Sequence, residues 1–275
     1  MKRKQIPIVG QKIRQKMETL KIATTNIRFE NPDDLENNWP ERKHIWAKIL
    51  KNYDPAIFCT QEGRQPQLKS ILNLFKKFHL SFDARPWILE RMYPSIYYHQ
   101  DFSVIESGDK WLSETPDSAG SKSFGSMFPR LMNYSLLQKN NTSLKFYIFN
   151  CHLDHMNSNT RREQSKVLVH EIKKINNKGL PQIICGDFNE GPSKDVREVI
   201  NHSGLKMIDP WITLNLPEEG SHHKFDGNNQ SNERIDWILC SQHFTPKKIK
   251  LVKDHIDGKF PSDHFPVITE LEINL

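Results

Sequence analysis

The chain has 275 residues, 36% of them hydrophobic and 26% charged, with a mean hydropathy of -0.67. That composition fits a soluble protein with a substantial core, and it excludes an integral membrane protein because no apolar run nears the roughly 20 residues that cross a bilayer. Lys and Arg (39) outnumber Asp and Glu (33), for a net charge of +6 and a pI near 9.0, which suits an anionic partner, nucleic acid included, without demanding one.

The first segment, MKRKQIPIVGQKIRQKMETL, opens with the positive charge of a secretory leader, but Gly10, Gln11, Lys12 and Arg14 interrupt its apolar stretch. Residues 1–19 are therefore expected to be a basic arm of a cytoplasmic protein, followed by one domain over 20–275. Strands are expected at 20–27, 56–61, 96–105, 131–138, 144–151, 182–185, 235–240, 247–252 and 266–273, from short apolar runs bounded by turn residues. Helices are expected at 40–52, at 65–78 (Leu68, Ile71, Leu72 and Phe75 share a face) and at 160–175 (Val167, Leu168 and Ile172). Asn140 and Asn141 suit a hairpin turn between two strands. Residues 86–125 and 210–232 read as long irregular stretches, the kind of loop that often carries function. The order implies a layered α/β or α+β domain without repeats or linkers. Cys59, Cys151, Cys185 and Cys240 lie inside apolar runs with no Cys-x-x-Cys spacing, so they read as buried free thiols of a reducing compartment.

The informative feature is what the strands end on. The run 180–184 leads into Cys185-Gly186-Asp187-Phe188-Asn189-Glu190. In extended backbone residues 187 and 189 project to one side, delivering a carboxylate and an amide to one spot, while a turn in which Asp and Asn cap their own backbone remains an alternative. Other apolar segments end in the same way: on Asn26, on Glu62, on Asn150 and His152, beside Asp236, and on Asp263-His264. Oxygen ligands such as Glu62 and Asp263 suit Mg²⁺ or Mn²⁺. A histidine held by a carboxylate, as His264 by Asp236, suits neutralisation of phosphoryl oxygens. Together these residues describe phosphate ester hydrolysis.

The set Asn26, Gln61-Glu62, Asn150-Cys151-His152-Leu153, Gly186-Asp187-Phe188-Asn189, Arg234-Ile235-Asp236 and Ser262-Asp263-His264 resembles the endonuclease/exonuclease/phosphatase superfamily, in its order and across residues 20–273. The stretches NIRFENPDD, WPERK, WLSETPD, CHLDH and TRRE look like a bacterial subgroup of it. The resemblance implies a four-layer α/β sandwich, two mixed β-sheets packed face to face with helices outside, and a metal site where strand-end loops converge. It implies that Glu62 ligates Mg²⁺ (or Mn²⁺), with Asn26 beside it and Asp263 completing the shell. Asp187 would align or deprotonate the attacking water, and Asn189 would donate to the scissile phosphate. His264, its ring held by Asp236, and His152 would contact phosphate from opposite sides. Arg28 stands where apurinic endonucleases carry an acid, and with Arg130, Arg161 and Arg162 it is a candidate for holding a second anionic group. Asp154 and His155 are candidates for further polar site residues or for a network bracing His152. The expected activity is in-line attack of water on phosphorus by a monomeric phosphoesterase, with residues 86–125 setting the substrate. A nuclease stacking bases on Trp87, Tyr93, Tyr97, Tyr98 and Trp111, and an inactive phosphate-binding module, are the alternatives.

Overall fold

The computed structural model describes residues 17–228 and 233–274, so most of the expected basic arm, residues 1–16, lies outside the described residues, as do 229–232 of the expected irregular stretch. The elements run β1 (Met17–Asn26), α1 (Trp39–Tyr53), β2 (Ile57–Gln61), α2 (Gln65–Leu74), β3 (Phe78–Leu80), β4 (Ser95–His99), β5 (Phe102–Trp111), β6 (Leu131–Lys139), β7 (Lys145–His152), α3 (Ser158–Ile175), β8 (Gln182–Asp187), α4 (Asp195–Asn201), β9 (Met207–Ile208), α5 (Pro210–Thr213), β10 (Asp236–Ser241), β11 (Phe244–Leu251) and β12 (Val267–Asn274). They form two six-stranded sheets, β11-β12-β1-β2-β4-β3 and β5-β6-β7-β8-β10-β9. Each holds one parallel pair, β1 with β2 and β7 with β8, among antiparallel neighbours.

The layers follow from strands that are apolar on both faces. Leu20 and Ile22, Ile57 and Cys59, Phe146 and Ile148, Ile183 and Cys185, Ile238 and Cys240 point between the sheets into one buried cluster. The alternate residues face outward. Ala23, Phe58, Tyr97 and Ile268 pack under Trp46, Ile49 and Leu50 of α1 and Leu68 and Ile71 of α2. On the other side Phe149, Ile184, Trp237 and Leu239 pack under Leu168 and Ile172 of α3 and Val196 and Ile200 of α4. The result is the expected four-layer sandwich. All four cysteines are free and buried.

Helix starts have local causes. Asn38 accepts the Trp39 N–H at 2.8 Å ahead of Pro40, and Asn157 accepts from the N–H groups of Asn159 and Thr160 as an N-cap.

Three expectations are corrected. The run 96–105 is two strands, because a turn at Gln100-Asp101 carries the chain from β4 in the first sheet, paired with β2, to β5 in the second, paired with β6. The helix expected over 65–78 ends at Leu74, since Phe78–Leu80 is drawn off as edge strand β3 against β4. Phe75 still faces the core, against Trp46 and Phe58. Neither long stretch is wholly irregular, because β4 and β5 fall inside 86–125 and α5 opens 210–232.

Candidate active site

The strand ends meet at one edge of the sandwich, and on the second sheet they meet by register. His152 of β7 pairs with Asp187 of β8, which pairs with Asp236 of β10, so three ionisable residues occupy one rung. The rung needs Gly186. At φ 136° a side chain is strained, and a Cβ there would lie 2.0 Å from the Cys151 carbonyl oxygen across the β7–β8 pair. Beyond it the turn alternative holds: the Asn189 N–H donates to Asp187 Oδ1 at 2.9 Å, and Asn189, at φ 52°, turns its amide to donate to the Leu153 carbonyl.

The first sheet meets this rung through Asn26. Its Nδ2 donates to Glu62 Oε1 at 3.1 Å and to Asp187 Oδ2 at 2.9 Å, tying two carboxylates from different sheets, while its Oδ1 accepts the Arg28 N–H. Glu62 stands just past β2 at φ 67° and also accepts the Phe29 N–H. A non-glycine residue held there is the kind of local strain that collects at functional sites. Underneath, Gln61 Nε2 donates to Asn150 Oδ1 at 2.7 Å and to Thr24 Oγ1, and Asn150 donates to the carbonyls of Thr60 and Ser95. This buried polar bridge joins the sheets directly below the site.

Asp236 Oδ2 takes two hydrogen bonds, from His264 Nδ1 at 2.8 Å and from Ser221 Oγ at 2.6 Å. Ser221 Oγ in turn accepts the N–H groups of Ile235 and Asp236. Sequence reasoning missed Ser221 and its neighbour His222, whose ring lies tilted beside that of His264, with centroids 4.8 Å apart. The only signal was a polar run Ser221-His222-His223 inside a long loop, and nothing in spacing ties it to residue 264.

These contacts set the protonation states. Burial and the neighbouring Asp236 carboxylate push the Asp187 carboxyl up to about 7, against the pull of His264 and the Asn189 and Asn26 donors. Burial alone would lower His264, but the Asp236 carboxylate and its hydrogen bond, with Asp187 and Asp263, hold the imidazolium well above the ordinary histidine value. Burial, Arg130 and His264 hold His152 well below it. Asp263 sits low despite its burial because His264, Arg28, His222 and Arg42 surround it with positive charge.

The arginines divide. Arg130 is buried, its Nη1 3.0 Å from both ring nitrogens of His152 and its Nη2 3.1 Å from His155 Nδ1. Arg28 makes paired contacts with Asp34 at 3.0 and 3.1 Å. Arg161 reaches Glu190 and the Asp154 carbonyl, whereas Arg162 is exposed on α3 and contacts none of the clustered side chains. Asp154 accepts from Ser126 Oγ and from the N–H groups of Met127, Met156 and Asn157, a network that ties the turn after β7 to the loop before β6.

Among the described residues three groups offer donor atoms within 4.8 Å of one another: Glu62, His152 and Asp187; Asp187, Asp236 and His264; and His222, Asp263 and His264. Asp187 and His264 link them into one continuous cluster. No group holds both Glu62 and Asp263, so those two expected metal ligands stand on opposite flanks of it.

Two six-stranded mixed sheets under outer helices, with carboxylates and histidines gathered at the strand ends, define a DNase I-like α/β sandwich. The sequence pattern of the Endonuclease/Exonuclease/phosphatase family matches residues 23–264, and the chain belongs to that family, whose members are generally hydrolases of phosphoesters. An endonuclease/exonuclease/phosphatase family protein from Bacteroides thetaiotaomicron superposes with a TM-score of 0.84 at 28% identity, covering 94% of this chain and all (100%) of that one. A mannosyl-6-phosphatase from the same organism superposes at 0.81, also 28% identical, over 92% of this chain and 99% of its own. Nocturnin of Xenopus laevis is 22% identical over 269 residues; the match takes in 86% of this chain and 65% of that protein's length. No helix of the described residues is long and apolar enough to cross a membrane.

Proposed function

We propose that this chain is a Mg²⁺- or Mn²⁺-dependent phosphoric ester hydrolase that cleaves a phosphate mono- or diester by in-line attack of water. One observation carries the reading: Asn26, Glu62, His152, Asp187, Asp236 and His264, drawn from both sheets, share a single hydrogen-bonded and register-linked cluster. The donor set fits a hard divalent ion. Glu62 and Asp187 are brought to one amide, Glu62 has no arginine or lysine ion-pair partner among the described residues, and crowding already drives Asp187 toward protonation, a condition that a cation relieves. Glu62 would hold the ion, with Asn26 beside it and Asp263 on the other flank. When bound, the ion supplies charge neutralisation to the phosphoryl oxygens.

The chain's own groups do the rest. Asp187, its carboxylate held by the Asn26 amide and the Asn189 N–H, accepts the proton of the attacking water as general base. His264, fixed through Nδ1 by Asp236, offers its Nε2–H to a phosphoryl oxygen, and Asn189 offers its remaining amide N–H. His152, backed by Arg130, contacts the phosphate from the opposite side, and Arg28 is reserved for a second anionic group of the substrate, a role for which the exposed Arg162 is not placed. Residues 86–125 set substrate choice; in support, their end abuts the site, with Thr160 Oγ1 bonded to the Phe124 carbonyl and Ser126 to Asp154. The reading includes a monomer and a reducing cytoplasm, the second supported by four buried thiols.

The 28% identical mannosyl-6-phosphatase puts sugar phosphates first in a Mg²⁺ and Mn²⁺ screen that also includes phosphoinositides, sphingomyelin, DNA and RNA. The net charge of +6 keeps a nuclease as the second reading, recognised by binding that weakens steeply with salt. His264→Ala should fold normally and lose roughly 10²- to 10³-fold in turnover, the scale of one preorganised donor. Near-full turnover of the variant would overturn the assignment, and a wild-type protein silent on every ester would favour the inactive binding module.

A further inference from the structure

The flank of the cluster formed by His222, Asp263 and His264 has a different donor chemistry from the Glu62 flank. His222 and His264 are an antiparallel backbone bridge pair, locked on either side by Phe265 N–H to Ser221 carbonyl at 2.8 Å and His223 N–H to Asp263 carbonyl at 2.8 Å. The backbone therefore holds both imidazoles side by side, with centroids 4.8 Å apart, before any ligand arrives. His222 Nε2 lies 4.0 Å from Asp263 Oδ2, and one donor atom from each of the three residues lies within 4.8 Å of the others. Small side-chain adjustments bring such donors onto one ion. Two further features point to a ligand. The imidazole of His222, 27% exposed, makes no hydrogen bond among the described residues. His264 is oriented by a carboxylate on Nδ1 with Nε2 left over, the arrangement that supports a metal-bound histidine.

We propose that His222, Asp263 and His264 form a site for a late first-row divalent cation such as Zn²⁺, and that its occupation inhibits the hydrolase. Two imidazoles and one carboxylate favour Zn²⁺, Co²⁺ or Ni²⁺ over Mg²⁺, which prefers an all-oxygen shell. The carboxylates of Asp187, Asp236 and Asp263 around His264 offset the cation's charge. On binding, the Nε2 proton of His264 is released to solvent and the ion takes its place. The inhibitory half rests on the proposed function, because Nε2 of His264 is the atom assigned there to phosphate; the binding half does not.

The test uses the full chain, freed of any affinity tag and stripped of metal, with Co²⁺ as the probe in excess Mg²⁺. A visible Co²⁺ absorption band should saturate near a single equivalent and disappear on adding Zn²⁺. In His222→Ala and in the larger His222→Gln, both checked for folding by circular dichroism, Co²⁺ affinity should fall about 10-fold or more, at least the cost of losing a supporting partner of a metal ligand. Equal affinity in a folded variant, or no Co²⁺ binding by the wild type, overturns the site. In hydrolysis assays at fixed Mg²⁺, the half-inhibiting Zn²⁺ concentration should rise by a similar factor in either variant, and an unchanged value overturns the inhibitory role. If no ester is hydrolysed at all, the proposed function fails while the Co²⁺ band still decides the site.

Discussion

The two sheets are near copies in plan, each six-stranded with one parallel pair, yet they deliver side chains to the site by different means. The second sheet uses strand register alone, so that His152, Asp187 and Asp236 are neighbours because β7, β8 and β10 are. The first sheet places Asn26 in register beside Gln61, but Glu62 and Arg28 step off their strands at φ 67° and 49°. Asp263 and His264 arrive on the loop before β12. A rung is fixed by backbone hydrogen bonds that also hold the core together, whereas the Glu62 carboxylate is placed by two side-chain hydrogen bonds. His152 and Asp187, assigned to chemistry, thus share a rung with Asp236, whereas Glu62 and Asp263, assigned to the cation, and His264, assigned to phosphate, sit on segments beyond the strands.

The largest effect should come from breaking the rung. Gly186→Ala places a Cβ 2.0 Å from the Cys151 carbonyl at φ 136°, and backbone strain with overpacking should cost on the order of 3 kcal/mol or more. Urea unfolding measures this, and a loss under about 1 kcal/mol would mean that β7 and β8 can part without penalty. Next, Asp187→Asn should keep the fold and lower turnover by roughly 10²- to 10⁴-fold, the range for a general base, with the Mg²⁺ concentration for half-maximal activity moved less than the rate. Glu62→Gln should do the reverse, raising that Mg²⁺ requirement about 10-fold or more and recovering part of its rate at high Mg²⁺. If both variants respond to Mg²⁺ alike, the division of labour between the sheets is wrong.

The same division explains what could be read from the sequence. Strands that alternate on two apolar faces and end on polar residues are local patterns, so β1, β2, β7, β8, β10 and β12 and the acids and amides at their ends were legible. The break at Gln100-Asp101 was not, because β4 and β5 are both apolar enough for a core and only tertiary pairing assigns them to different sheets. Edge strand β3 was hidden inside a helical period that Phe75 still satisfies. Asp187 and Asn189 were expected to project together, and the Asx turn between them won because Asp187 can cap the Asn189 N–H without leaving the rung. Ser221 and His222 were illegible because what gives them meaning is a bridge to residue 264, and no periodicity encodes a contact of that separation. Arg161 and Arg162 are adjacent and chemically alike; only the helix phase tells which one turns toward Glu190.

The smallest effect concerns a brace within the second sheet's loops, between the β5–β6 and β7–α3 connections. Asp154 lies just beyond the rung, and its carboxylate gathers Ser126 Oγ with the N–H groups of Met127, Met156 and Asn157. Burial works against the charge, but these donors overcome it and hold the Asp154 carboxyl below the usual carboxylate range. The folded state therefore releases this proton more readily than the unfolded chain. Its contribution to stability is fully present above the unfolded value of about 3.9 and fades as pH falls through the lower folded value. Asp154→Asn exchanges one acceptor oxygen for an amide that faces other donors, and it should cost about 1–3 kcal/mol at pH 7. Urea titrations of wild type and variant should show a constant gap from neutral pH down to about pH 5. Below that the gap should close as the wild-type carboxylate takes up its proton. A gap that persists undiminished into the acid range would mean that Asp154 acts through shape alone, and the charged brace would have to be withdrawn.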